Sequence, residues 1–191
     1  MYRTIKITVC CSCTIIILLM SSFAVFLRRM PVVTGYDLTH AETNFAISLL
    51  EKEYVEITNH KTKEEYRQII EKDFNCRLYI YQELDLPEGV DGQCQPLFRI
   101  IKIDTEATEF FYCSAFAHEM IHLTSYIQQE NYVNYRTFVY LFEHEDPEFH
   151  NYGVMMGIYS LYGMYPSQYD CNGDIIQYVT TKLGNSSTTT N

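Results

Sequence analysis

One long apolar stretch lies near the N-terminus. Residues 7–27 contain no charged side chain, and basic residues flank them on both sides. A helix rises about 1.5 Å per residue, so this stretch would span roughly 30 Å, the thickness of the hydrocarbon core of a bilayer. We predict an uncleaved, single-pass membrane anchor over residues 1–29. The alternative is a cleaved signal peptide, with Ser22 and Ala24 as the small residues before the cut. Both interpretations carry the rest of the chain out of the cytoplasm.

The first half of the remaining chain mixes helical spacing with strand alternation. Thr62 and Glu65 form a capping box at the start of one predicted helix. The predicted elements are a linker (30–36), a helix (37–52), a short strand (54–58), a helix (62–74), a strand (76–82), a loop (83–96) and a second alternating strand (97–103).

Apolar residues at helical spacing dominate the second half. Asp146 followed by Pro147 is a typical helix start, with a capping acid and a proline at the first helical position. The pattern therefore predicts an α+β domain over residues 37–183, in which a small β-sheet is followed by a helical half, tethered by one N-terminal transmembrane helix. The predicted helices of this half are 106–126, 130–142, 147–162 and 174–183, followed by a disordered tail at 184–191.

The charge of the chain restricts the classes of partner that it can bind. The formal net charge is −10, and most of the acidic excess lies after residue 103. An acidic domain without a basic stripe argues against a nucleic-acid partner and against adhesion to anionic lipid. We therefore expect contact with the membrane through residues 7–27 and no nucleic-acid partner.

The cysteines fall into two groups. Cys10, Cys11 and Cys13 lie within the apolar N-terminal stretch. The other four can form two disulfides in any of three connectivities, or they can remain free thiols. Both alternatives stay open for Cys76, Cys94, Cys113 and Cys171.

The segment His118-Glu119-Met120-Ile121-His122 is the most specific chemical motif, an HExxH sequence. Residues four apart share one face of a helix, so both imidazoles can reach a single ion. Zinc prefers imidazole nitrogen and carboxylate oxygen, and a catalytic zinc site keeps one position for water. The Glu119 carboxylate can accept a proton from that water and pass it to the leaving amine. We predict His118 and His122 as zinc ligands and Glu119 as the general base.

A third ligand is expected from the next predicted helix. Glu130 and Asn134 are four residues apart and share one helix face. The Glu130 carboxylate can bind the metal, and the Asn134 amide can accept a hydrogen bond from the free N–H of a ligand histidine. The competing interpretation of Glu130 is an acid that the helix dipole favours at a helix N-terminus.

These motifs resemble the gluzincin group of zinc metallopeptidases. Residues 117–162 are more narrowly similar to an uncharacterised family of bacterial membrane-associated proteins with a predicted zinc-peptidase site. The resemblance implies a zincin-like domain that holds one zinc ion on His118, His122 and Glu130, with Glu119 as general base. The segments that carry the resemblance are AHEMIHL (117–123), ENYVN (130–134) and DPEFHNYG (146–153).

Three positions depart from the family pattern. Ile121 and Ser125 stand where a small alanine and a glycine are expected, and Tyr132 replaces an acid. The resemblance also implies an edge strand just before the HExxH helix that pairs with extended substrate, and residues 97–103 are in the corresponding place.

The combined prediction is a membrane-tethered zinc metallopeptidase that hydrolyses a peptide or protein substrate outside the cytoplasm, using a water activated by zinc. Tyr152, Tyr135 and His150 are candidate donors to the transition-state oxyanion. The alternative is a catalytically inactive, membrane-anchored module that binds a metal or a peptide. Glu119 favours the enzyme, because a structural metal site does not need it. A third hypothesis has no metal, with both motif histidines satisfied by ordinary hydrogen bonds.

Overall fold

Two helices with matching N-terminal caps open the described part of the chain. Helix α1 is His40–Glu53 and helix α2 is Lys63–Asp73, and each begins with a Thr/Glu capping box. The box satisfies two backbone N–H groups at each helix start. The described residues belong to one compact unit, Val33–Asn191. The computed structural model describes residues 39–77, 79–83, 86, 91–96, 98–104, 106–125, 129–164 and 171–184.

A sheet of three short strands follows the two helices. Its strands are β1 (Tyr79–Glu83), β2 (Gly92–Gln95) and β3 (Ile100–Asp104), in the order β1-β3-β2. Strand β1 runs parallel to the central strand β3, and β2 runs antiparallel to β3 on its other side. Ile101 and Ile103 on β3 are fully buried, so one face of the sheet packs against the helices.

Four further helices complete the described fold: α3 (Glu109–Ser125), α4 (Glu130–Glu143), α5 (Pro147–Leu161) and α6 (Asn172–Lys182). Helix α3 is central, since it contacts α2, α4, α5, β2 and β3. Helix α5 starts as predicted, with the Asp146 side chain accepting a hydrogen bond from the Glu148 backbone N–H. All six helices and β3 contribute buried residues to one hydrophobic core.

The predicted fold class is wrong. We expected an α+β, zincin-like domain in which a small sheet precedes a helical half, with one transmembrane helix. The described residues instead form a mostly helical fold, with helices of 11–17 residues and strands of only four or five. Helix α1 packs on α5 and α6, and α2 packs on α3. The helices before the sheet therefore share a core with those after it, and the sheet is a small addition to a helical body.

Two local predictions in the first half are also wrong. The predicted loop 83–96 contains β2, whose sequence GQCQ has no apolar alternation. Residues 54–58 are not a strand. The Asn151 side chain instead bonds both backbone groups of Val55, whose N–H donates to Asn151 Oδ1 over 2.8 Å and whose carbonyl accepts from Asn151 Nδ2. A side-chain amide thus takes the place of a neighbouring strand.

Several predictions fall outside the described residues. They concern the anchor (1–29), the linker (30–36), the tail after Gly184, and Cys10, Cys11 and Cys13. Among the residues that the structure describes, no helix combines the length and the apolarity needed to cross a bilayer. The four cysteines left open between disulfide and thiol, Cys76, Cys94, Cys113 and Cys171, are free thiols in this structure.

The close crossing of α5 and α4 yields a stability prediction. A Cβ atom placed on Gly153 would lie 2.3 Å from the backbone nitrogen of Phe142 and 2.5 Å from its Cα. Backbone atoms cannot yield as a side chain can, so Gly153→Ala should cost about 3 kcal/mol of unfolding free energy. Thermal unfolding should show a loss of roughly 6–12 °C in Tm.

Gly184→Ala is the matched control. A Cβ atom at Gly184 meets no heavy atom of the described residues within 4 Å, so this change should stay within about 0.5 kcal/mol. Equal Tm values for the two variants would contradict the close packing of α5 on α4.

Candidate metal centre

Helix α3 presents two imidazoles on one face. His118 and His122 are one turn apart, and their Nε2 atoms lie 3.0 Å from each other. The side chain of His122 is 6% exposed and that of His118 is 14% exposed. Helical spacing accounts for the shared face, and the surrounding apolar core of α3 accounts for the burial.

The first turn of α4 brings a carboxylate to the same point. Glu130 Oε2 lies 3.1 Å from His118 Nε2 and 3.3 Å from His122 Nε2. Hydrogen bonds from both imidazoles lower the pKa of Glu130 to about 2. The structure thus brings the three predicted ligands together, and their ligand atoms can hold a metal ion.

Hydrogen bonding alone cannot satisfy this triangle of atoms. An imidazole Nε2 either carries a hydrogen and donates, or carries a lone pair and accepts, and an ionised carboxylate only accepts. With the Glu130 carboxyl ionised, at most two of the three contacts can be good hydrogen bonds. In the third contact, two hydrogens or two lone pairs would face each other, which is repulsive. A cation inside the triangle would instead receive one lone pair from each atom.

The spacing of the three atoms also fits a metal of ordinary bond length. Zinc binds imidazole nitrogen at about 2.0–2.1 Å with tetrahedral geometry, so two ligand atoms on one ion are about 3.3 Å apart. The observed separations are 3.0, 3.1 and 3.3 Å. Two nitrogens and one oxygen are a set of donors that suits zinc. The residues present therefore fit the ion that the sequence predicted.

Glu119 is not one of the three converging residues, but it interacts electrostatically with all of them. Its side chain is buried, with 7% exposure, and its Cγ would lie 3.0 Å from a Cβ atom placed on Gly92 of β2. Burial raises the pKa of Glu119, and the neighbouring imidazoles of His118 and His122 oppose that rise. A buried carboxylate next to a cation site, but outside the set of ligands, can accept and return a proton.

Asn134 is buried on α4, one turn after Glu130, with 6% exposure. Its place on the helix face of Glu130 follows from the spacing of four residues. Its hydrogen bond to a ligand histidine stays a prediction.

The structure places Tyr152, a candidate oxyanion donor, in a different buried cluster. Its hydroxyl lies 2.8 Å from the Tyr66 hydroxyl and donates to Glu148 Oε1 over 3.2 Å. Glu148 is 2% exposed and also accepts from the Tyr66 hydroxyl and from the Lys61 backbone N–H, while His60 Nδ1 lies 2.8 Å away. This cluster fastens the chain between α1 and α2 to the start of α5.

The other two candidate donors also have contacts of their own. The ring of Tyr135 packs against that of Tyr178 on α6, with a centroid distance of 6.4 Å. His150 donates from Nδ1 to the Phe142 carbonyl over 2.5 Å. The structure therefore gathers His118, His122 and Glu130 at one point, with Glu119 close enough to interact electrostatically with all three, and gives Tyr152, Tyr135 and His150 other partners.

The expected place of the edge strand is wrong. Residues 97–103 overlap β3 (Ile100–Asp104), which is the central strand of the sheet. The edge strand beside α3 is β2. Sequence reasoning missed Gly92 because it lay in a predicted loop; a glycine in a recognised strand would have signalled a close approach. It also missed the buried Glu148, because a glutamate in the first turn of a helix is ordinarily exposed.

Comparisons with protein-family models, with curated proteins and with solved structures find no match for this chain. The resemblance to gluzincins and to the bacterial membrane-associated family therefore stays a prediction. The chemistry of the site is therefore inferred from its geometry.

The Glu148 cluster predicts a pH-dependent contribution to stability. Burial alone would raise the pKa of Glu148, but hydrogen bonds from Tyr66, Lys61, His60 and Tyr152 outweigh it and lower the pKa. A lowered folded-state pKa means that the carboxylate stabilises the fold above its unfolded pKa, about 4.3. That stabilisation is lost as the pH falls through the folded value.

Glu148→Gln should therefore cost about 2 kcal/mol of unfolding free energy at pH 7, and progressively less below about pH 4. Urea unfolding across this pH range measures the effect. Glu145→Gln is the control, because Glu145 is exposed and lies three residues earlier in the chain, just before α5, so the change should alter stability by less than about 0.5 kcal/mol. A cost for Glu148→Gln that is the same at pH 7 and pH 3 would contradict the prediction.

Proposed function

We propose that this protein is a zinc-dependent peptidase. One observation carries the proposal: His118, His122 and Glu130 converge within 3.3 Å of one another, and the buried Glu119 carboxylate interacts electrostatically with all three. The three side chains suit zinc as ligands, and a buried carboxylate near them suits a role in proton transfer. Metal-assisted hydrolysis of a peptide bond uses this combination.

The proposed roles divide between the metal and the protein. A bound zinc ion lowers the pKa of water to about 7 and acts as a Lewis acid. The imidazoles of His118 and His122 and the Glu130 carboxylate hold the ion. Glu119 takes the proton from the attacking water and delivers it to the amine that leaves. Its buried position favours this role, because a proton acceptor shielded from bulk water returns its proton to the substrate.

The set of ligands supports a catalytic site over a structural one. Structural zinc sites are closed by four protein ligands, whereas catalytic sites use three and keep one position open. Among the described residues, the group that can hold a metal has three members. Glu130 is also 42% exposed at its side chain, so a substrate can approach from the side of α4.

The proposal includes a location and a substrate class. The apolar residues 7–27 support a tether to the membrane with the domain outside the cytoplasm. The proposed reaction sets the substrate class: it is the hydrolysis of an amide bond in a peptide or a protein, whose leaving amine Glu119 would protonate.

Metal binding is the first test. The full-length chain, purified in detergent and dialysed against buffered zinc, should carry about one zinc ion per chain by elemental analysis. His122→Ala removes one ligand and leaves the other two, so zinc should be lost or weakened at least 100-fold. His40→Ala changes an exposed histidine at the start of α1 and should keep the zinc of the parent. A parent protein without bound metal would overturn the proposed site.

Peptide cleavage is the second test. Glu119→Gln keeps the size of the side chain but cannot accept a proton, so zinc should stay bound while cleavage of a mixed peptide library falls by about 10²–10⁴-fold. Mass spectrometry of the library measures the products. A zinc-loaded parent that cleaves no peptide would favour a catalytically inactive binding module.

A further inference from the structure

The edge strand β2 approaches the Glu119 side chain closely at one residue. A Cβ atom placed on Gly92 would lie 3.0 Å from Glu119 Cγ and 3.2 Å from Glu119 Oε1. Such separations are shorter than ordinary contacts between carbon atoms, which are about 3.5–4.0 Å. Any side chain at position 92 would therefore press on the carboxylate.

The backbone conformation does not explain the glycine. Among the described residues, the glycine with a positive φ is Gly163, so Gly92 has a conformation that other residues adopt readily. The lack of space for a side chain is therefore the reason for a glycine at position 92. Gly92 lies within a strand and opposite Ile103 of β3, so the sheet fixes its backbone in place.

Both side chains that face Gly92 are buried. The same Cβ atom would lie 3.2 Å from Ile103 Cδ1, and Ile103 is fully buried. Glu119 is also buried, and its charge lies close enough to His118 and His122 to interact with both. A displaced Glu119 carboxylate would have to move within the site and relative to the two imidazoles.

We propose that Gly92 is a positioning residue for Glu119: the side chain it lacks leaves the space in which the carboxylate lies beside His118, His122 and Glu130. This inference rests on the proposed function, in which Glu119 transfers a proton. The backbone of the edge strand, through Gly92, sets the distance between that proton acceptor and the metal ligands.

A double-mutant cycle on thermal unfolding tests the contact without any need for activity. Gly92→Ala in the full-length chain should lower Tm by about 5 °C, because one methyl group overpacks the site. In a Glu119→Ala background the Cγ and the carboxylate are gone, so the loss should fall to about half or less, with the remainder due to the contact with Ile103. If Gly92→Ala is too unstable to purify, recovery of folded protein in the double variant supports the inference. An equal loss in both backgrounds, or no recovery, overturns it.

Kinetics tests the consequence for proton transfer. The zinc-loaded Gly92→Ala variant should keep the zinc content of the parent and a KM within about twofold, while kcat falls about tenfold, since a shift of a few tenths of an ångström misaligns the carboxylate. Gly92→Val should lower kcat further. An unchanged kcat in Gly92→Ala overturns the inference.

Gln93→Ala is the matched control for both measurements. Gln93 is the next residue on β2 and is exposed, and its side chain points to the opposite face of the sheet. It should match the parent in Tm and kcat. A zinc-loaded parent that cleaves nothing would count against the proposed peptidase, while the unfolding cycle would still decide the role of Gly92.

Discussion

The burial of helix α3 is the constraint on which the rest of this structure depends. The helix contacts three other helices and two strands, so five of the other eight described elements pack against it. Its sequence allows this, because apolar and small residues run along most of its length. The same burial carries His118, Glu119 and His122 into the interior, where polar groups are costly unless they find partners.

The chemistry of the site follows from that cost. Two imidazoles and one carboxylate meet in a triangle that hydrogen bonds cannot fully satisfy. A cation would satisfy it, and the fourth polar group, Glu119, remains available beside the ligands. The buried Glu148 carboxylate also needs polar partners, and it finds them among hydrogen-bond donors. This arrangement stabilises the fold and leaves no role for a metal.

Local sequence signals predicted the described helices and the strands β1 and β3, but they missed β2. The capping box at Thr62 and the Asp146-Pro147 start act within one helical turn, so they are visible in sequence, and the observed helices begin and end within three residues of prediction. Strand β2 has no apolar alternation and exists because it pairs with β3. The fold class was wrong for a related reason, since the packing of α1 on α5 and α6 joins residues far apart in sequence.

The sequence by itself determined the pairing of His118 with His122, because helical geometry places residues four apart on one face whatever surrounds them. It also predicted Glu130 from motif and spacing. Tertiary structure decided the rest. The packing of α4 against α3 brings Glu130 to the imidazoles, and the place of β2 at the sheet edge brings Gly92 close to Glu119. Tyr152 lay near the motif in sequence, yet packing turned it toward Glu148. The contacts between polar side chains on different elements depend on how those elements pack, and no local sequence pattern predicts that packing.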